Sequence, residues 1–337
     1  MLYAQTATST QTILDKNPKL TSYLPDGLVC LASQQIKGRG RGRNPWISPD
    51  GCLQFSLLLK YPQFGPNPQA SPVLLQYLFG LAVVEAVRSC PGYEEIPLQL
   101  KWPNDVYAEI PVRSSPSPIP STSPKVRRVK ISGTLTNSSF GKDGLTLVIG
   151  TGVNCHNALP TTSVNELIRE YNRHHGTSLP IWSEELLLAR ILAQFEVFYQ
   201  RFLLNQTNCT PFTPRTTATS VCSALPALGK AQTQATHNPR EVAYQRHSLT
   251  SPASLAYPTL GGTGIEPFLA MYYRRWLHSD QLATLQDHNH VQVRIKGITT
   301  DYGYLETIGV RDGQRYVLQP GGNSFDMMAG LIGRKKV

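Results

Sequence analysis

Between Val129 and Asn154 the chain runs through VKISGTL, then TNSSFGKDG, then LTLVIGTGVN. The outer pieces are apolar and β-branched, and the Gly-Lys-Asp-Gly centre suits a tight chain reversal. That pattern predicts an antiparallel pair of strands leading into a glycine bend at Gly150 and Gly152, so the fold has to be organised around a sheet.

Other short apolar runs extend it. Leu28–Ala32 and Leu53–Leu59, flanked by Gly, Pro and Ser, read as strands, and Leu98–Trp102 starts another. Between the first two lies GRGRGRNPW, residues 38–46, which reads as a loop. Helices are expected where the period lengthens. SPVLLQYLFGLAVVEAVRS opens with Ser71 as a cap and Pro72 in the first turn, and its apolar body should lie under the sheet. Ser183–Leu204 starts with Glu184 and Glu185 and repeats Leu187, Ile191, Phe195, Phe198 and Phe202 at helical spacing. Glu266–His278 is a third helix. VQVRIKGI, GYLETIG and RYVLQPGG then alternate as short strands suited to a small barrel. Residues 111–128 and 207–264 are rich in Pro, Ser and Thr without apolar period, and are expected to be disordered insertions. A large domain over 1–282 followed by a barrel over 286–337 results.

A formal charge of +10 over 337 residues implies an anionic partner, which charge alone leaves open among nucleic acid, nucleotide and acidic protein. No apolar run reaches the ~18 residues of a membrane span. The N-terminus has neither signal-peptide nor presequence character, so a cytoplasmic location is expected. Cys30, Cys52, Cys90, Cys155, Cys209 and Cys222 show no C-x-x-C spacing, which favours reduced, partly buried thiols over a zinc site or disulfides.

Three stretches can carry chemistry. Alternating Gly and Arg brings backbone N–H groups and forked guanidinium donors to a carboxylate or phosphate, and Trp46 offers a stacking face; a loose RNA-binding tract or a solvated basic loop is the plain alternative. In LKWPNDVY, Lys101 ends a strand while Asn104 and Asp105 are either turn formers or nucleotide and Mg²⁺ contacts. In VKISGTL, Lys130 is either an exposed strand lysine or a fixed charge facing a pocket, with Gly133 leaving room beside it. Walker A, G-x-G-x-x-G and H-E-x-x-H patterns are all missing from the sequence.

Taken in order, ASQQIKGRGRGRNPWISPDG, LKWPNDVY, VKISGTL and VIGTGVNCHN resemble the biotin–protein ligase (holocarboxylase synthetase) family in its eukaryotic, fungal form. The resemblance implies an α/β (α+β) fold: a mixed β-sheet flanked by helices, with a small C-terminal SH3-like barrel. It implies ATP, biotin and Mg²⁺ as substrates and cofactors. Biotin is activated as biotinyl-5′-AMP with loss of pyrophosphate, then passed to a lysine of the carboxyl carrier domain of a biotin-dependent carboxylase. By position, Ser9, Thr10, Gln11 and Gln35 fall on the biotin pocket, with Gln11 where asparagine is usual. Gly38, Arg39, Gly40 and Arg41 fall on the loop closing over biotin and the adenylate, with Lys130 and Gly133 beside it. Trp46, Lys101, Asn104, Asp105 and Asn154 fall on the nucleotide side, Asp105 also on the metal side. Lys130, Arg41 and Arg39 are the implied catalytic set. Arg43 and Asn44 depart from the bacterial loop, and Thr134 replaces an aliphatic residue. A monomer without a DNA-binding domain is expected. The rival readings are a lipoate or octanoate ligase of the same fold and a basic RNA-binding protein.

Overall fold

The computed structural model describes residues 1–42, 44–61, 71–111, 126–141, 144–158, 161–203, 264–321 and 323–334. Its N-terminal part is built from β1 (Leu2–Ala7), α1 (Thr10–Asp15), α2 (Pro18–Tyr23), β2 (Leu28–Gln35), β3 (Gly38–Arg39), β4 (Pro45–Trp46), β5 (Cys52–Tyr61), α3 (Leu75–Arg88), β6 (Leu98–Lys101), β7 (Asp105–Pro111), β8 (Val126–Gly141), β9 (Gly144–Asn154), α4 (Val164–His175), α5 (Glu184–Leu203) and α6 (Glu266–Arg275). Seven of the strands form one mixed sheet in the order β1-β2-β5-β9-β8-β7-β6. Only the β1–β2 pairing is parallel; β5 and β9 are registered over ten residue pairs from Cys52↔Asn154 to Tyr61↔Leu145.

α3 and α5 cover this sheet. Phe79 of α3 stands 6.0 Å from Phe55 of β5 and 4.7 Å from Phe195 of α5, ring centre to ring centre. All five apolar positions read from the period of α5 are buried. Glu85, charged inside an apolar helix, is buried because Arg275 of α6 meets it at 2.6 Å, which compensates a carboxylate removed from water.

β10 (Leu282–Leu285), β11 (Val291–Ile298), β12 (Leu305–Gly309), β13 (Arg315–Leu318), β14 (Asn323–Asp326) and β15 (Leu331–Arg334) form a second sheet, ordered β13-β12-β11-β10-β15-β14. The two sheets are keyed together. The Gly303 carbonyl accepts from Tyr77 Oη at 2.6 Å and from Trp102 Nε1 at 3.0 Å. Gly303 has φ +67°, and a side chain there would collide with the Tyr77 ring. The Trp102 N–H donates to His278 Nε2 at 3.1 Å, and Leu277 N donates to Leu100 O at 2.9 Å. His278 is fully buried, and burial, more than its cationic neighbours Lys101 and Arg128, lowers its pKa to about 4.

Several expectations change. GRGRGRNPW is not a plain loop: β3 pairs with β4, Gly38 opposite Trp46. The expected loop at 111–128 ends early, because Val126 already begins β8; residues 112–125 lie outside the described residues. TNSSFG, polar enough to read as a connection, continues β8 in register with β9, and Phe140 at its tip is exposed. Ser71 does not cap: a 3₁₀ turn, Pro72–Leu74, precedes α3 and the serine side chain makes no capping bond. α6 stops at Arg275, so Trp276, Leu277 and His278 lie beyond the helix, Trp276 in extended conformation. Short α1 and α2 escaped the period. So did α4, although Ser163 caps it by accepting from Glu166 N. The expected insertion at 207–264 lies outside the described residues except for Gly264. Four cysteines, Cys30, Cys52, Cys90 and Cys155, are buried thiols rather than partly buried ones. Among the described residues, no helix is long and apolar enough to cross a membrane.

Candidate active site

A cavity of about 770 Å³ opens over the carboxyl end of β2, the β3–β4 hairpin and the β8–β9 pair. Its closed end is polar but neutral. Ser9 caps α1 by accepting from Thr12 N, which fixes Thr10 and Gln11 at the wall. Gln35 Oε1 accepts from Thr10 N at 2.7 Å, and its Nε2 donates to Gln54 Oε1 at 3.2 Å. Gln11 Nε2 donates to Val148 O at 3.0 Å while its Oε1 accepts from Ser56 Oγ at 3.1 Å. The Thr10 and Ser56 hydroxyls meet at 2.9 Å. The extra methylene of Gln11 brings its amide against the Cα of Gly150, where no side chain would fit. Buried amides and hydroxyls so fully paired are held in fixed orientations.

The open end is cationic. Arg39, Arg41, Lys101 and Lys130 all line the cavity, with Asp105 among them. Lys130 is aimed by a β-bulge: register with β7 shifts between Ser132↔Val106 and Lys130↔Tyr107, returning Lys130 to the face that Gly133 shares. Its Nζ lies 2.7 Å from Asp105 Oδ1. A side chain at Gly133 would press on that pair at 3.0–3.2 Å, so the room this glycine leaves is taken by Lys130 and Asp105. Arg41 Nη1 donates to Asn104 Oδ1 at 3.2 Å, and the Asn104 amide donates to Thr134 O at 2.6 Å. Burial lowers the pKa of Arg41 and of Lys101, with Asp105 opposing the shift in both. Arg39 Nη1 reaches Asp15 Oδ2 at 3.1 Å.

Trp46 lies flat against Gly152, where even a methyl group would overlap the indole, and Lys130 stands 5.7 Å from its ring centre. The indole is thus presented on the cavity wall by a glycine of β9 and a pairing with Gly38, whose own Cα is hard against the Trp46 carbonyl.

The sequence of residues 3–154 matches the model of the "Biotin/lipoate A/B protein ligase family". Residues 3–154 are a domain of that family. It is 33% identical over 99% of its length to a biotin–protein ligase of Schizosaccharomyces pombe and 30% identical over 98% to one of Homo sapiens. It spans 44% and 35% of the lengths of those two relatives. Its fold is that of the biotin protein ligase from Aquifex aeolicus solved with biotin and ATP: TM-score 0.51, 18% identity, covering 94% of this chain and 98% of that one.

Of the family positions singled out in the sequence, Ser9, Thr10, Gln11, Gln35, Arg39, Gly40, Arg41, Trp46, Lys101, Asn104, Asp105, Lys130 and Gly133 all reach the one cavity. Gly38 and Asn154 stand behind it. Asn154 is buried, and its amide donates to the Lys130 carbonyl at 3.3 Å, supporting the strand rather than facing the cavity. The Asp105 carboxylate, expected from the sequence on the metal side, has Oδ1 2.7 Å from Lys130 Nζ. Among the described residues no group of three His, Cys, Asp or Glu is placed to hold a metal. Arg43 lies outside the described residues.

Sequence reasoning missed Ser56, Thr151 and Gly152, which line the cavity from β5 and β9. It also missed Phe325 and Arg334, brought in from the second sheet. Phe325 packs 5.8 Å from Lys101 Nζ. Nothing in the local pattern of β14 or β15 marks them, since only the docking of the two sheets brings them to the site.

Proposed function

We propose that this chain is an ATP-dependent biotin–protein ligase. The observation that carries the reading is one cavity with two unlike parts: cationic side chains, Arg39, Arg41, Lys101, Lys130 and Arg334, along its lining and a neutral wall of oriented amides and hydroxyls at its base. Biotin has the matching halves, a fused cyclic urea that both donates and accepts hydrogen bonds and a carboxylate at the end of an aliphatic arm. A lipoyl or octanoyl tail, lacking polar hydrogens, would gain no hydrogen bond from the wall of Thr10, Gln11, Gln35 and Ser56.

In the reaction, a carboxylate oxygen of biotin attacks the α-phosphorus of ATP, the bond to the β-phosphate oxygen breaks, and pyrophosphate leaves. Arg39 captures the carboxylate of biotin, while Arg41 and Lys130 bring the two anions together and stabilise charge on the transferring oxygens; such donors act most strongly where water is excluded. Lys101, nearer Phe325, faces the leaving pyrophosphate. Trp46 supplies the face for adenine. Magnesium enters with the phosphates of ATP as part of the substrate. A neutral lysine amine on an acceptor protein then attacks the acyl carbon, forming the amide and releasing a proton to solvent, and AMP leaves with the electron pair of the broken acyl–oxygen bond. Carboxyl carrier domains of biotin-dependent carboxylases are the acceptors proposed.

The alternative of a loose RNA-binding tract fits the geometry poorly. Arg39 and Arg41 are tied inward to Asp15 and Asn104, and Gly40 N closes the hairpin on Asn44 O at 2.9 Å. The deciding experiment is exchange of labelled pyrophosphate into ATP with biotin, lipoate or octanoate as the acid. Exchange with biotin alone supports the reading; exchange with lipoate or octanoate instead moves the chain to the other branch of its family.

A further inference from the structure

Asp15 takes no part in the mechanism just described, and nothing in the sequence marks it. It is the last residue of α1, the short helix whose first turn forms the neutral wall. Its side chain is only 12% exposed, and Oδ2 accepts from Arg39 Nη1 at 3.1 Å, with Lys16 Nζ further off at 3.6 Å. The backbone of Arg39 is fixed separately, by pairing with Pro45. Arg39 is therefore held at both ends, by the hairpin and by α1, while Arg41 is held on the opposite wall by Asn104.

An arginine side chain on a surface hairpin samples many rotamers, and ordering it afresh at each binding event weakens binding. With Nη1 engaged by a nearly buried carboxylate, Arg39 is held in place where it lines the cavity. We propose that Asp15 is a positioning residue: its carboxylate pre-orients Arg39 for the carboxylate of the acid substrate. The proposal rests on the ligase reading above. Because Arg41 and Lys130 keep their own partners, the effect of Asp15 falls on capture of the acid more than on turnover.

The test is a double-mutant cycle read by biotin-dependent pyrophosphate exchange, with Asp15→Ala, Arg39→Ala and the double variant, thermal unfolding being measured on each. Asp15→Ala is expected to raise KM for biotin about fivefold, the scale of one immobilised long side chain, with kcat within about twofold. In the Arg39→Ala background the same change should add less than about twofold, since a residue acting through Arg39 has nothing left to act on. Asp15→Asn, which keeps an acceptor oxygen in place, should recover part of the loss in KM and guards against a folding defect in the alanine variant. The proposal is overturned if Asp15→Ala matches wild type in KM, or if its full effect survives in the Arg39→Ala background. Absence of exchange in the wild-type chain would instead overturn the ligase reading itself.

Discussion

The two ends of the cavity solve recognition differently. At the base, Thr10, Gln11, Gln35 and Ser56 carry no charge, and their mutual hydrogen bonds fix which atoms point at a ligand. At the mouth, Arg39, Arg41, Lys101 and Lys130 outnumber Asp105, so the selection is for negative charge, with geometry supplied by individual tethers such as Asn104 and Asp15. The base can therefore discriminate between acids of equal charge, whereas the mouth can only bring anions together and stabilise the charge that moves between them.

That division is most sharply tested by removing one mouth cation. Arg41→Ala or Lys130→Ala should lower the rate of adenylate formation by roughly 10²–10³, the scale of losing one oriented charge donor, while circular dichroism stays that of wild type. Turnover near wild type in either variant would take that residue out of the mechanism.

Acid should strike the charged end and its support, since the base has no titrating group. His278 accepts from the Trp102 N–H just behind Lys101, and its pKa falls from an ordinary 6.5 to about 4. A depressed histidine keeps the folded state neutral while the unfolded chain protonates. The stability linked to it is thus intact above pH ~6.5 and lost as pH falls towards ~4, by about 3 kcal/mol in all. Denaturant melts across that window should show the loss, and His278→Gln should flatten it; an equally steep acid limb in the variant would assign the loss to other groups.

At the base, Gln35→Ala leaves Thr10 N and Gln54 without their partner. KM for biotin should rise about tenfold, and KM for ATP should stay within about twofold. Equal rises in both would erase the distinction between the ends. The smallest expected effect is that of salt. Raising it from low to physiological strength should weaken ATP binding a few-fold and biotin binding hardly at all, as judged by calorimetry, because screening acts on partly exposed charges. An equal response by biotin would mean that its carboxylate, not its ring, dominates affinity.

The contrast also explains what could be read from the sequence. The β8–β9 pair, α3 and α5 were legible because each repeats an apolar period over many residues. The mouth cations were legible because Gly-Arg alternation and the Lys130-to-Gly133 spacing are unusual. The base was only partly so: Gln35 and Thr10 are ordinary polar residues whose meaning lies in pairs separated widely along the chain. The bulge that turns Lys130 inward, the Asp15 tether and the approach of Phe325 and Arg334 are products of register and docking, which local pattern does not encode. TNSSFG misled because this end of β8 runs past its pairing with β7 and residues 138–141 are all exposed, leaving no alternation to show.

The keying of the second sheet through the Gly303 carbonyl has a consequence for how the protein is made. Along the chain, Thr10, Gln11, Gln35 and Ser56 are laid down long before Phe325 and Arg334, which complete the cavity from the second sheet. The nascent polypeptide thus carries an unfinished pocket until the second sheet has emerged, and a message cut short after α6 would yield a chain with one wall of the chamber missing.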